Sequence, residues 1–317
     1  MHFLVEGGGV MVAILRPSMF MLLSTFTLAL NGLLSKFLTV HFSDAILVML
    51  RLLLPALVML IFAACSHWVV PDKAAVRAFT LRAIFIASCQ SCFMLALSHL
   101  TLIEAVVLFS TGPLFIPLLE RFFYKTKISW LVMPTLMLMI IGVAMQNLTV
   151  QGITWRWELL IGLAAGFLNG CSQVALFKAS KIDLPVLVIN GWCFAIASLL
   201  VLPVMLMFTS QYEYQHSLEL LVSFEQGIPL LLVFLGLSTA STQFFRSKAY
   251  RLVDSNSELA PLIYTNLIFA MVFQLMFFDT SMSVMQISGT GLIVLATLLN
   301  TFAPHYFKRD KAQKGII

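Results

Sequence analysis

The stretch "FTLALNGLLSKF" (Phe26–Phe37) places an Asn-Gly pair inside an apolar run, and "GLAAGFLNGCSQ" (Gly162–Gln173) repeats its centre, Leu-Asn-Gly, 138 residues later. Between strands of a soluble protein, Asn-Gly marks a hairpin turn. Here each pair lies mid-way along a segment of about twenty apolar residues, the length that crosses a bilayer as a helix. The pair is therefore read as a polar point on a membrane helix. Its recurrence is read as the trace of a duplication.

The rest of the chain agrees with a membrane solvent. Of 317 residues, 60% are hydrophobic and only 10% charged, and the mean hydropathy is +0.98. A soluble core does not need that much apolar material, so a polytopic membrane protein is expected. Ten candidate spans follow: 17–40, 45–65, 80–98, 103–120, 130–146, 158–178, 184–208, 228–247, 256–277 and 283–302. Residues 1–16 read as a cytoplasmic tail, 147–157 as an external connection and 303–317 as a basic cytoplasmic tail. Met11 and Met19 are alternative starts to Met1. No connection is long enough for a soluble catalytic domain.

Lys and Arg set the orientation. With ten spans, sixteen of the nineteen fall on one side, from Arg16 through Lys73, Arg77, Arg82 and Arg246 to Lys314. Only Arg156 falls on the other side, and Lys36 and Arg51 lie within spans. Both termini are expected in the cytoplasm of a bacterium, with the chain in its inner membrane. The net charge of +5 is thus a matter of orientation, and no nucleic-acid partner is expected.

Further features recur in order between the halves. Asp44 and Arg51 fall opposite Asp183 and Asn190, 139 apart, and Gln90 falls opposite Gln243, 153 apart. "EAVVLFST" (Glu104–Thr111) falls opposite "ELAPLIYT" (Glu258–Thr265), 154 apart. Five spans per copy is an odd number, so the second copy enters upside down. The expected fold is all-α, ten transmembrane helices in two inverted five-helix repeats, 17–146 and 158–302. Such repeats enclose a mid-membrane site in many secondary transporters.

On these residues the chain resembles the drug/metabolite transporter superfamily in its EamA-type branch. In that family the first helix often ends in a lysine and the second carries an arginine, as Lys36 and Arg51 do here. Pro113 follows a small-residue run in the fourth helix, and Gly142 and Gly289 sit in the last helix of each half. Asn31-Gly32 stands where relatives often have Trp-Gly, and Thr126 and Asp279 stand where they often have Glu. The resemblance implies a ten-helix transporter and leaves the substrate unnamed.

Candidate substrate residues are the polar groups that a lipid-facing helix would not tolerate. On the first helix Ser24, Thr27, Asn31 and Ser35 share one face. On the eighth, Thr239, Thr242, Gln243 and Arg246 do. The sixth carries Asn169 and Gln173 beside a Gly162-x₃-Gly166-x₃-Gly170 face suited to close packing. Gln90, Asn190, Thr111 and Tyr264 complete the uncharged set. An amide in the membrane often only bridges two helices, and that alternative stays open for each one. Arg51 lies about 10 Å inside its helix and needs a partner, either a substrate carboxylate or Glu104. Lys36 is a second charge, or snorkels to the interface. Glu104 and its mirror Glu258 bind substrate or serve as helix N-terminal carboxylates.

No catalytic residue and no metal set is expected: His pairs with ligand spacing, HExxH and a phosphate-binding P-loop are all absent from the sequence. Cys65, Cys89, Cys92, Cys171 and Cys193 read as packing residues. No cofactor is expected. The expected partners are a small-molecule substrate and the lipid bilayer, with a second copy of the chain left open. The expected function is secondary transport of a small metabolite, such as an amino acid, by alternating access. The alternatives are an exporter of drug-like compounds or, in another class, an intramembrane enzyme or structural protein.

Overall fold

In the computed structural model the regular structure among the described residues is helical apart from a two-residue antiparallel pair, Leu148–Thr149 with Gly152–Ile153. The structure describes residues 2–66, 68–124, 157–210, 227–254, 256 and 259–278, and scattered positions in 134–153, 213–215 and 283–299. The helices are α1 (His2–Leu38), α2 (Asp44–Ser66), α3 (Lys73–His99), α4 (Leu102–Phe109), α5 (Gly112–Tyr124), α6 (Trp157–Ser180), α7 (Val186–Phe208), α8 (Ile228–Arg251), α9 (Ala260–Ile263) and α10 (Thr265–Phe277). Among the described residues six are long and apolar enough to cross a membrane: α1 from Arg16, α2, α3, α6, α7 and α8. The expected fifth and tenth spans, 130–146 and 283–302, fall mostly outside the described residues, and the 303–317 tail wholly so.

Local chemistry adjusts several expected boundaries. Helix α1 begins at His2, and its part long and apolar enough to cross a membrane begins at Arg16, beside the expected start at 17. The third helix starts seven residues before the expected span, because the Asp72 carboxylate accepts the Ala75 N–H at 2.8 Å and caps it. The expected fourth span is two helices broken at Ser110-Thr111, and the ninth is α9 and α10 broken at Tyr264. The breaks correspond residue for residue. Thr111 Oγ1 donates to the Leu108 carbonyl at 2.7 Å, and Thr265 Oγ1 donates to that of Leu262 at 2.8 Å, each pair 154 apart. Pro113 then withholds the N–H that would bond Phe109.

The halves pack as a two-fold pair. Helix α3 lies along α6 as α1 lies along α8, α2 lies against α7, and α3 meets α7 as α2 meets α8. The broken α4–α5 rests on α6, and the broken α9–α10 rests on α1. Exchanging the halves maps each of these contacts onto another of them, and the α2–α7 contact onto itself.

The polarity is that of a protein solvated by lipid. Exposed side chains along the helices are apolar, among them Phe26, Ile61, Ile84, Phe167, Leu199, Leu206 and Phe234. Asn31, Arg51, Arg82, Asn169, Asn190 and Arg246 are buried. Glycine serves one half more than the other. A Cβ on Gly166 would lie 2.5 Å from the Leu108 carbonyl oxygen, and one on Gly170 would lie 2.7 Å from that of Gly112. One on Gly32 would meet nothing nearer than Leu102 Cδ1 at 3.5 Å, an ordinary contact. Close approach explains the second Asn-Gly pair and not the first.

Candidate functional site

Between the halves lies a narrow cavity of about 30 Å³. Its walls are Leu28, Asn31 and Gly32 of α1, Arg51 of α2, Gln90 and Phe93 of α3, Val106 and Phe109 of α4, Thr239, Thr242 and Gln243 of α8, and Asn266 of α10. Both copies therefore contribute polar groups to one space. Counting from the near helix ends, Asn31 and Arg51 lie about 10 Å in, and Gln90 and Gln243 about 12–14 Å.

The α1 stripe does more zipping than lining. Ser24 Oγ donates to the Thr242 carbonyl at 3.0 Å, Thr242 Oγ1 donates to Thr27 Oγ1 at 2.8 Å, and Ser35 Oγ donates to the Asn31 carbonyl at 2.7 Å. The Asn31 amide N–H group donates to Thr239 Oγ1 and, at 3.4 Å, to the Leu235 carbonyl. Helix–helix bridging and cavity lining thus coexist in Asn31.

Arg51 is only 5% exposed. Its Nε donates to Gln90 Oε1 at 3.1 Å, a terminal nitrogen donates to Ser35 Oγ, and the guanidinium lies 5.3 Å from the Phe93 ring centroid. That ring stands edge-on to Phe109, with centroids 4.9 Å apart. A cation–π contact and an amide oxygen stabilise the charge without neutralising it. Glu104, weighed above as the partner of Arg51, instead forms a capping box with Thr101: its carboxylate accepts the Thr101 N–H at 2.9 Å.

The first half holds, on α3, a second buried arginine that the sequence reading missed, and it reaches across to the second half. Arg82, counted above with the cytoplasmic basic residues, is 1% exposed, nine residues into α3. Its terminal nitrogens donate to Asn190 Oδ1 and Gln243 Oε1, both at 2.8 Å. Asn190 and Gln243 are the mirror positions of Arg51 and Gln90, so Arg82 stands where the second copy lacks its own arginine. Arg246, also 1% exposed, donates from Nε to Ser24 Oγ at 3.1 Å. Buried Glu120 lies with Arg82 and Arg246 close enough to Tyr250 to act on it electrostatically. The signal available in the sequence was an arginine nine residues inside an extended helix, obscured by its proximity to Lys73 and Arg77.

The other expected residues are placed as follows. Lys36 caps α3: its Nζ donates to the Leu97 and Leu100 carbonyls, both at 2.7 Å, which satisfies helix-end groups and takes it out of the cavity wall. Lys181 does the same at the mirror carbonyl, Val253, at 2.5 Å. Asn169 accepts from Gln173 at 3.0 Å, and Gln173 accepts from Tyr250 at 3.1 Å, and none of the three lines the cavity. Asn190 donates to Ser247 Oγ at 2.8 Å. Thr111 packs against Gly166 at the α4–α5 break. Tyr264 is buried at the α9–α10 break, and its hydroxyl has no partner among the described residues. Glu258 lies outside the described residues. Among the described residues no group of three or more His, Cys, Asp or Glu side chains is placed to hold a metal ion.

The sequence matches the EamA-like transporter family over residues 15–148 and again over 156–302. None of the curated proteins matches the chain. A crystal structure described only as that of a protein superposes with a TM-score of 0.64 at 16% identity, over 92% of this chain and 97% of its own. At that identity the likeness speaks for the fold alone.

Proposed function

The chain belongs to the EamA-like transporter family, and from that premise we propose that it is a secondary transporter of a small metabolite in a bacterial inner membrane, with both termini cytoplasmic. The observation that carries the reading is the cavity in which Asn31, Arg51 and Gln90 of one copy face Thr239, Gln243 and Asn266 of the other. Alternating access in a repeat protein proceeds by the halves exchanging conformations around such a site. The bistable elements in this reading are the α1–α8 and α3–α6 contacts, which the two-fold relation makes equivalent. Amide- and hydroxyl-rich walls favour a small polar cargo, such as an amino acid or a related solute, over a bulky drug-like one.

The test is a thermal-shift screen of the purified protein against a metabolite library. A ligand that binds the folded state alone stabilises it by mass action, about 2.7 kcal/mol at a hundred times its Kd. A class of hits whose shift is lost in Asn31→Ala and Gln90→Ala is the expected result. A screen with no hit, joined to no counterflow of any member in proteoliposomes, would remove the reading.

A further inference from the structure

The buried charges of the described residues do not balance. Among the described residues, Arg51, Arg82 and Arg246 are buried and Glu120 is the one buried carboxylate, an excess of two positive charges. The Arg82 guanidinium bonds the amide oxygens of Asn190 and Gln243, and its Nε has no partner among the described residues; one terminal nitrogen of Arg246 has none among them either. Buried cations are costly unless an opposite charge completes them. The excess remains whichever arginine Glu120 accompanies.

The geometry is repeated as well as unbalanced. Arg51 holds Gln90 within the first copy, and Arg82, also of the first copy, reaches across to hold Gln243, the mirror of Gln90 in the second. Both glutamines line the same cavity. Arg82 and Gln90 are eight residues apart on α3, about 12 Å along its axis. The second guanidinium therefore lies one side chain, Gln243, beyond the cavity wall.

We propose that the substrate is a small organic anion, carboxylate or phosphate, and that it crosses by passing between two guanidinium–amide stations, Arg51–Gln90 and Arg82–Gln243. The proposal rests on the transport reading. In this structure the Arg51 station borders the cavity and the Arg82 station is sealed by Asn190. Exchange of the two halves opens the second station and seals the first. The anion then takes the place of Gln243 on Arg82.

The experiment uses the full-length protein, in detergent for melting and in proteoliposomes for counterflow. The probes are monocarboxylates, dicarboxylates and sugar phosphates, each beside its neutral amide or free sugar, at one ionic strength held with potassium chloride. The expected result is that anions raise the melting temperature and counterflow while their neutral counterparts do neither; which anions do so separates carboxylate from phosphate. Arg51→Gln should weaken the anion about tenfold to a hundredfold, the value of a charged hydrogen bond, with Arg51→Lys weakened less. Arg82→Gln keeps an N–H donor for Asn190 and should melt like the parent without ligand, yet lose anion counterflow at least tenfold, with Arg82→Lys retaining part of it. Should Arg82→Gln fail to fold, the Arg51 pair decides. Stabilisation and counterflow by neutral or cationic compounds, undiminished in Arg51→Gln and Arg82→Gln, would overturn the anion proposal and leave the transport reading standing. Counterflow of nothing at all would overturn both.

Discussion

Replacing Gly166 by alanine tests whether the glycine face of α6 is what admits the broken fourth span. The new Cβ would sit 2.5 Å from the Leu108 carbonyl oxygen and closer still to Thr111 Oγ1. Ordinary contact begins at 3.4 Å, so α4 must retreat by about 0.9 Å from the new Cβ and the Thr111 hydroxyl must also give way, leaving its bond to Leu108. Overpacking of this kind costs about 1–3 kcal/mol, and loss of the hydroxyl bond adds about 1 kcal/mol. Gly32→Ala is the internal control. Its Cβ meets only a leucine methyl at 3.5 Å, and removing a mid-helix glycine favours the helix by about 0.5–1 kcal/mol. Thermal unfolding of the purified variants in one detergent reads the difference: Gly166→Ala should melt well below the parent and Gly32→Ala at or above it. Equal melting of the two variants would refute the packing argument, because their structural difference is the approach of a backbone oxygen.

Other outcomes follow from the same contacts. Lys36→Ala should lower stability by about 1.5–3 kcal/mol through the two freed α3 carbonyls and leave substrate affinity unchanged; a selective loss of affinity would return Lys36 to the site. Arg51→Gln and Glu104→Gln should add in their effects on melting, because the carboxylate belongs to the Thr101 capping box; recovery of stability in the double variant would show direct pairing. Thr101→Ala should cost about 0.5–2 kcal/mol by removing that cap, measured by denaturation of the same preparation. Reporter fusions at Ser217 and Ile317 should fall on opposite sides of the membrane, and reports from one side would break the span count on which the orientation rests.

Much of the fold was legible because lipid imposes it. A segment of about twenty apolar residues has few alternatives to a spanning helix, and six of the expected spans are single long helices. The repeat was legible from polar outliers such as Asn31 and Asn169, which stand out against an apolar background. The breaks at Ser110-Thr111 and Tyr264 were not, since a hydroxyl bonded to the carbonyl three residues back looks in sequence like any Thr in a helix. The site was legible in part. Arg51 drew notice because it lies deep in α2. Arg82 did not, since it sits near Lys73 and Arg77, and charge counting assigns such a cluster to a loop. Its meaning depends on Asn190 and Gln243, which are 108 and 161 residues away and meet it only in the folded chain. Asn266, beside the matched Thr265, was missed because one amide in an apolar run carries no sign of which face it takes.

Counterflow in proteoliposomes tests the central claim most directly. Vesicles loaded with the compound that most stabilises the parent protein should accumulate its labelled form in a transient, saturable overshoot. Arg51→Gln, inserted and folded to the same yield, should lose that overshoot. An overshoot undiminished in Arg51→Gln, or its absence from the parent for every stabilising compound, would contradict a transport pathway through the cavity between the two halves.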